Sequence, residues 1–439
     1  MTRTLPRRHF LAGAAATGAA LAAPAIRAQA PVTITFRFND PEAPQLRGAL
    51  DEFEKRNPDI KVTMQRVSWA DAQAKYLREA AVGTAPDVVH LAQVWTRSFG
   101  GGGSLRPIDD LIRRDGAKLG AAGWDGFVAR DLAVAPDGKI CGVPWTIDTF
   151  AMIYNKEIFA AAGINEFPTS WEGLRAASQQ IKQKTGKDGW AFSAGNCGTP
   201  GIWFYLNFFW LSKGPGLIDR AADGKFAVSI TPQQIQEGFD YYNRYLQEGH
   251  NPRGSLSICL WNAPEVVEGM LSGSIAMCSN PDPVATEILE KWAARNPGKP
   301  APFATAPHPR DVNGSRTFFG GRMLAISPNC KNVEQAWRLI QYLATPDPTF
   351  TRFYTNYTPA QQAAITARGW RPEMSGYPEQ LKTARSWGPY GTGPVAIPFM
   401  WQAVGRAAGS VFIGEKTSAQ AAAELHDAIS RELARVQKS

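Results

Sequence analysis

Between Val32 and Leu91 strand-like and helix-like patterning alternate, and that order restricts the fold more than any other feature of the sequence. Val32 to Phe38 (VTITFRF) alternates β-branched or aromatic residues with polar ones, the period of a half-buried strand. Leu46, Leu50 and Phe53 then recur at helical spacing, and Asn57-Pro58 ends that helix. Ile60 to Met64 opens a second strand, a helix follows around Ala72–Val82, and Asp87–Leu91 (DVVHL) is an apolar run short enough for a buried strand. Strand, helix, strand, helix, strand implies a parallel sheet in an α/β lobe. Ligands of such sheets bind beyond the carboxyl ends of the strands. The segments there are Asn39-Asp40, Ser68-Trp69 and Gln93-Val94-Trp95, read as loops that all carry hydrogen-bonding groups.

At 439 residues the chain exceeds one compact core and suits two lobes of roughly 150–200 residues each. Helices are expected over Trp171–Thr185, behind the capping residues Pro168-Thr169-Ser170, and over Pro232–Glu248, Pro264–Leu271, Asn332–Ala344 and Ala419–Val436. Gly273–Met277 reads as a short strand, and Thr317–Ser327 (TFFGGRMLAIS) as a strand broken by a glycine pair. The run WFYLNFFW at 203–210 is aromatic at six of eight positions and reads as core, with Trp203 its exception. Gly100–Gly103 reads as a loop and not a phosphate cradle, since no Lys-Ser/Thr follows.

Residues 1–30 carry a different signal. Arg7-Arg8 precedes an apolar stretch from Phe10 to Ile26 that ends in Ala28-Gln29-Ala30, small residues that suit a signal peptidase. The arginine pair followed by His9-Phe10-Leu11 is of twin-arginine type. We therefore expect residues 1–30 to be a signal peptide cleaved after Ala30, and the rest to work in the periplasm. The net charge of +8 falls once this segment goes, because it holds four arginines and no acid. The remaining 43 basic and 39 acidic residues are scattered, which gives nucleic-acid binding little support. Cys141, Cys197, Cys259, Cys278 and Cys330 show no metal-ligand spacing, so no metal is expected. In an oxidising compartment one disulfide is expected, and the spacing does not say between which cysteines.

Several segments, in order, resemble family 1 extracellular solute-binding proteins of ATP-driven sugar importers, the class that includes maltose-binding protein. They are FEKRNPDIKV, GTAPDVVHL, LRPIDDLI, CGVPWTIDTFAMIYNKEIF, FPTSWEGL, GSIAM, FFGGRMLAISPNCKNVEQAWRLIQYLATPD and AIPFMWQAVGRAAGSVFIGEKTSAQAAAELHDAI, which together span almost the whole chain beyond residue 30. The resemblance implies an α/β, two-lobe periplasmic binding protein fold with a hinge and an interlobe ligand cleft. By analogy the first lobe holds residues 31–146 and 276–326, and the second 147–275 and 327–439. Crossings then fall near Pro144–Asp148, Ser274–Ala276 and Ser327–Pro328. It also implies a ligand passed to the membrane permease subunits of an ABC transporter, by a monomer with no cofactor and no catalytic residues.

A sugar offers flat C–H faces to aromatic rings and hydroxyls to planar polar side chains. The candidates of those types on cleft-facing loops are Asn39, Asp40, Trp69, Gln93, Trp95, Trp145, Asp148, Asn196, Gly320, Gly321, Arg322, Trp387 and Tyr390. Each has a plainer alternative: hinge packing for Trp145 and Asp148, strand geometry for the two glycines, and a salt bridge for Arg322. The five histidines are isolated and read as surface or capping groups. A phosphorylated polyol (glycerol-3-phosphate-like) would want several cations in the cleft, and only Arg322 is a candidate. A polyamine would want several carboxylates, and only Asp40 and Asp148 are candidates. A secreted carbohydrate-active hydrolase or lyase would need a nucleophile elbow, an HExxH site or a carboxylate pair. The first two are absent from the sequence.

Overall fold

The computed structural model describes residues 30–38, 44–120, 122–197, 201–345, 358–360 and 369–438. Residues 1–29 of the expected signal peptide, and the candidates Asn39 and Asp40, lie outside the described residues. Strand β1 (Val32–Phe38), helix α1 (Pro44–Arg56), β2 (Ile60–Arg66), α2 (Trp69–Ala81) and β3 (Val88–Ala92) follow the expected order. β1 pairs in parallel with β2, Val32 opposite Ile60, and with β3, Phe36 opposite Val88. Leu46, Leu50 and Phe53 all face inward, because spacings of four and three return a side chain to one helical face. Burying each stabilises the fold by about 1.5–3 kcal/mol.

Helix α3 (Gln93–Gly101) starts directly at the end of β3, so Gln93-Val94-Trp95 is a helix start and not a loop. Its last turn takes in Gly100 and Gly101, and a Cβ at Gly100 would lie 2.7 Å from Cys141 Sγ. Most of Gly100–Gly103 is therefore a helix end packed on a neighbour. Strand β4 (Val143–Asn155) is 13 residues long and buried on both faces. Helix α4 (Trp171–Thr185) opens on Ser170, whose hydroxyl accepts from Gly173 N, and closes on Gly186 at φ 70°. β5 (Asp188–Ala191) leads to α5 (Ile202–Lys213), apolar on every side and buried from Ile202 to Ser212. Then come α6 (Pro232–Gln247), α7 (Pro264–Ser272), β6 (Ile275–Pro281), α8 (Asp282–Arg295), β7 (Phe303–Ala306), β8 (Phe318–Ile326) and α9 (Val333–Ala344). Helices α10 (Ile397–Phe412) and α11 (Ser418–Val436) end the chain. Among the described residues no helix is long and apolar enough to cross a membrane.

The principal strands run in the order β2-β1-β3-β8-β4-β6-β5. β8 is continuous through its glycine pair and lies antiparallel between β3 and β4, with a register shift at Arg322/Met323. β4 joins two halves. Its first part pairs with β8, Val143 opposite Leu324 through Thr149 opposite Phe319. Its second part pairs with β6, Phe150 opposite Pro281, and with β7, Met152 opposite Ala306. Residues 276–306, expected with the first lobe, pack β6, α8 and β7 against Val266, Met270 and Tyr377. Helix α9, expected with the second lobe, packs Trp337, Ile340 and Leu343 on Ile34, Phe36 and Leu324. The described residues thus group into one side built on β1–β3 and α9 and another built on β5–β7 and α4–α7, with the largest buried cluster running across both.

Candidate functional site

The two central strands, β4 and β8, bring the most chemistry together. Gly320 lies opposite Asp148 and Arg322 opposite Thr146, so Asp148 and Arg322 are diagonal neighbours on one face. Their side chains form an ion pair, 17% and 12% exposed respectively. A carboxylate and guanidinium so placed make strong, directional hydrogen bonds. The Arg322 guanidinium also lies over the Trp69 ring, 5.8 Å from its centroid. Trp69 is the first residue of α2, fixed there because Ser68 caps the helix by accepting from Asp71 N. Its ring stands edge-on to Trp95 at 5.4 Å and to His90 at 5.3 Å.

The glycine pair makes room for the remaining members. Gly321 has φ 149°, and a Cβ there would sit 2.0 Å from Thr146 O and 2.9 Å from Gln93 Nε2. Gln93 is buried at the start of α3; its Nε2 donates to Thr146 O at 3.2 Å, and its Oε1 has no partner among the described residues. Such a buried, unpaired acceptor calls for a ligand or a water. A Cβ on Gly320 would lie 2.9 Å from Trp387 Nε1 and 3.3 Å from Asp148 Oδ1. Only a residue without a side chain lets the indole and the carboxylate approach this closely. The Trp387 ring is 8% exposed, parallel to Trp401 at 6.0 Å and edge-on to Trp203 at 5.6 Å. Tyr390 lies nearby in sequence, its ring covered by the Arg385 guanidinium at 4.7 Å.

Thus Trp69, Gln93, Asp148, Gly320, Gly321, Arg322 and Trp387 form one neighbourhood, with Tyr390 on the Trp387 segment. Two expected members are core instead. Trp145 is 1% exposed and packs on Phe36, Phe38 and His90. Trp95 is 4% exposed and stacks on Phe99, on the inner side of Trp69. Asn196 lies elsewhere. It lines a cavity of about 480 Å³ with Leu256, Phe399, Arg406 and Ile413, none of which belongs to the Asp148–Arg322 neighbourhood. Trp203, expected as the exception to the core run, is 0% exposed and packed among Phe204, Phe318 and Trp387, and Trp401 was not among the expected site residues. Both are embedded in apolar helices, where a ring at the end of a run carries no signal that separates platform from core.

Of the histidines, His90, His250 and His308 are buried, against the expectation of surface positions. The rings of Phe208 and Trp171 pack on His308, and burial holds its pKa down at about 3. One disulfide links Cys197 to Cys259, beside Asn196, while Cys141, Cys278 and Cys330 are free thiols. Among the described residues no three His, Cys, Asp or Glu side chains converge as a metal site would need.

A family profile described as bacterial extracellular solute-binding protein matches residues 48–379. A binding protein of Brucella abortus is 26% identical over 303 residues, 67% of each chain. The diacetylchitobiose binding protein DasA of Streptomyces coelicolor is 23% identical over 309 residues, 69% of this chain and 67% of its own. Among solved structures, the GacH receptor of Streptomyces glaucescens, known unliganded and in complex with acarbose, superposes with a TM-score of 0.75. That match covers 92% of this chain and 99% of the other at 21% identity, and it is a likeness of fold: two α/β lobes around a cleft.

Proposed function

Because the chain belongs to the bacterial extracellular solute-binding proteins, we propose that it captures a neutral sugar or oligosaccharide outside the cytoplasm and hands it to the permease subunits of an ABC importer. The observation that carries this reading is the Asp148–Arg322 pair, with the Trp69 ring face under the guanidinium and the Trp387 indole edge beside Gly320, opposite Asp148. Rings of that kind pack on sugar C–H faces, and the paired charges can bond hydroxyls while cancelling each other. A ligand carrying its own charge would have to compete with one partner of that pair. The diacetylchitobiose named for one relative and the acarbose named for one structural neighbour are both oligosaccharide-type ligands, which supports the same class.

The two lobes we propose divide along β4 and follow the packing of the cores. Residues 276–306 go with the second lobe and α9 with the first, an adjustment of the boundaries read from the sequence. Closure about β4 would bring Trp69 and Arg322 toward Trp387, as hinge closure does in periplasmic binding proteins generally. Residues 1–30 would direct export through a twin-arginine route and be removed after Ala30, and the mature chain would act as a monomer without catalysing a reaction.

A calorimetric and thermal-shift screen of the mature chain against neutral oligosaccharides, sugar phosphates and polyamines tests the ligand class. A ligand at a hundred times its Kd should add about 2.7 kcal/mol of stability. Response to a polyamine or a sugar phosphate alone overturns the neutral-sugar reading, and consumption of any screened compound overturns a purely binding role. Asp148→Asn should weaken the ligand at least about tenfold, which corresponds to about 1.4 kcal/mol, with an unchanged circular dichroism spectrum. Unaltered affinity would make Asp148 a packing residue of the hinge.

A further inference from the structure

The segment from Arg385 to Thr392 touches both halves of the molecule within a few residues. Arg385 and Ser386 pair in parallel with Phe318 and Phe319 at the start of β8. Trp387 is held by the rings of Trp203 and Trp401, on α5 and α10. Gly391 is pressed against α5 as well, since a Cβ there would lie 2.6 Å from the Trp203 ring. Between these anchors Gly388 faces away from α5, toward the side that carries Phe319. A Cβ on it would meet Val94 Cγ1 of α3 at 3.3 Å and Leu132 Cδ2 at 3.4 Å. Leu132 packs in turn with Met323 of β8, and Val94 against the same small cluster. The turn is closed on itself, because the Gly388 carbonyl accepts from Thr392 Oγ1 at 2.9 Å and from Gly393 N at 3.0 Å.

We infer that residues 385–392 are a strap that seats on Val94 and Leu132 and holds the two halves together over the candidate site. The inference rests on the binding reading above and deepens it, by adding a determinant of affinity that need not touch the ligand. Rotation of the halves away from each other must either strip Trp387 and Gly391 from α5 or lift Gly388 off Val94 and Leu132 together with Arg385–Ser386 off β8. The seat is backbone against two aliphatic side chains, which lets it form and part without stranding a polar group. A branched side chain at 388, reaching past a Cβ already 3.3–3.4 Å from both aliphatic groups, would act as a wedge.

Two variants of the mature chain test this from opposite sides. Gly388→Val inserts the wedge, and the double variant Val94→Ala/Leu132→Ala removes the seat. Small-angle scattering of the ligand-free protein should show a larger radius of gyration in both, with unchanged circular dichroism. Affinity for whichever oligosaccharide the screen identifies should fall by about fivefold or more, as a smaller closed fraction requires. If Gly388→Val does not fold, the double variant carries the test alone. A wild-type scattering curve already more open than this structure, or unchanged scattering in the variants, overturns the strap. A screen that finds no sugar overturns the ligand class instead, and leaves the scattering test intact.

Discussion

The half built on β1–β3 and the half built on α5 reach a buried core by different chemistry. Around α1 and α9 the first is mainly aliphatic, with Ile34, Leu46, Leu50, Val62, Leu324, Ile340 and Leu343 closing on the sheet beside Phe36, Trp145 and Trp337, while Tyr76, Trp95 and Phe99 join the larger core. The second is aromatic: Trp190, Phe192, Trp203, Tyr205, Phe208, Tyr242 and Tyr245 pack face to edge around one helix. It also holds the disulfide and the buried His308. Aliphatic packing depends on summed area, whereas ring packing adds preferred geometry and leaves polar ring edges to be satisfied. The aliphatic half can absorb small changes of shape. The aromatic half is the one where single side chains should count most.

The sharpest probe of that difference is Trp203→Ala against Ile340→Ala. Both side chains are 0% exposed; the tryptophan deletion should cost about 3–5 kcal/mol and the isoleucine about 2–5, the tryptophan variant losing the more. Urea unfolding of the two variants measures the gap, and equal losses would erase the distinction. Next in size is the covalent link. Cys197 and Cys259 are separated by 62 residues, and replacing both by serine should remove about 2–4 kcal/mol. The loss should appear as faster amide exchange on α5 and the loops beside the pair, with β1 and β2 protected as before. Uniform loss of protection across both halves would mean that they unfold as one unit.

The third probe is acid. Burial depresses the His308 pKa from its ordinary value near 6.5 to about 3, so the folded protein keeps this ring neutral while the unfolded chain protonates it. The stability this confers is complete above about pH 6.5 and drains away as pH falls toward about 3, by up to about 1.4 kcal/mol per pH unit. His308→Gln should flatten the stability profile in that window. The Ser279 hydroxyl, 2.8 Å from His308 Nε2, would keep a hydrogen-bonding neighbour. A profile unchanged by the substitution would assign the acid sensitivity to carboxylates.

These differences also decide what could be read from the sequence. β1, α1 and β2 have one wet and one dry face, so alternation and helical spacing located them closely. β4 was legible only as a crossing, because a strand buried on both faces has no alternation to show. α5 is apolar all round, so its helical period is invisible although its burial is plain. In the candidate site, Asp148, Arg322 and the glycine pair could be anticipated because charges and glycines are rare inside strands. Trp145 could not be told from a ligand platform, since a tryptophan at a strand end has the same local sequence whether it turns inward or outward. Trp401 was hidden in a helix for the converse reason.

β4 leaves a mechanical signature. Thr149 is bonded to Phe319 in one half, and the very next residue, Phe150, to Pro281 in the other. Along β4 the change of partner therefore falls within a single peptide link, beside the other segments that join the halves. Asp148 sits one residue from that link, where the lever arm is short and any swing moves it little. Trp69, on α2, and Trp387, held beside α5, belong to different halves, so a swing changes the gap between them more than it moves Asp148. In the site proposed here the ion pair would be ready before closure and would govern capture, while the rings arrive afterward and would govern how long the ligand stays.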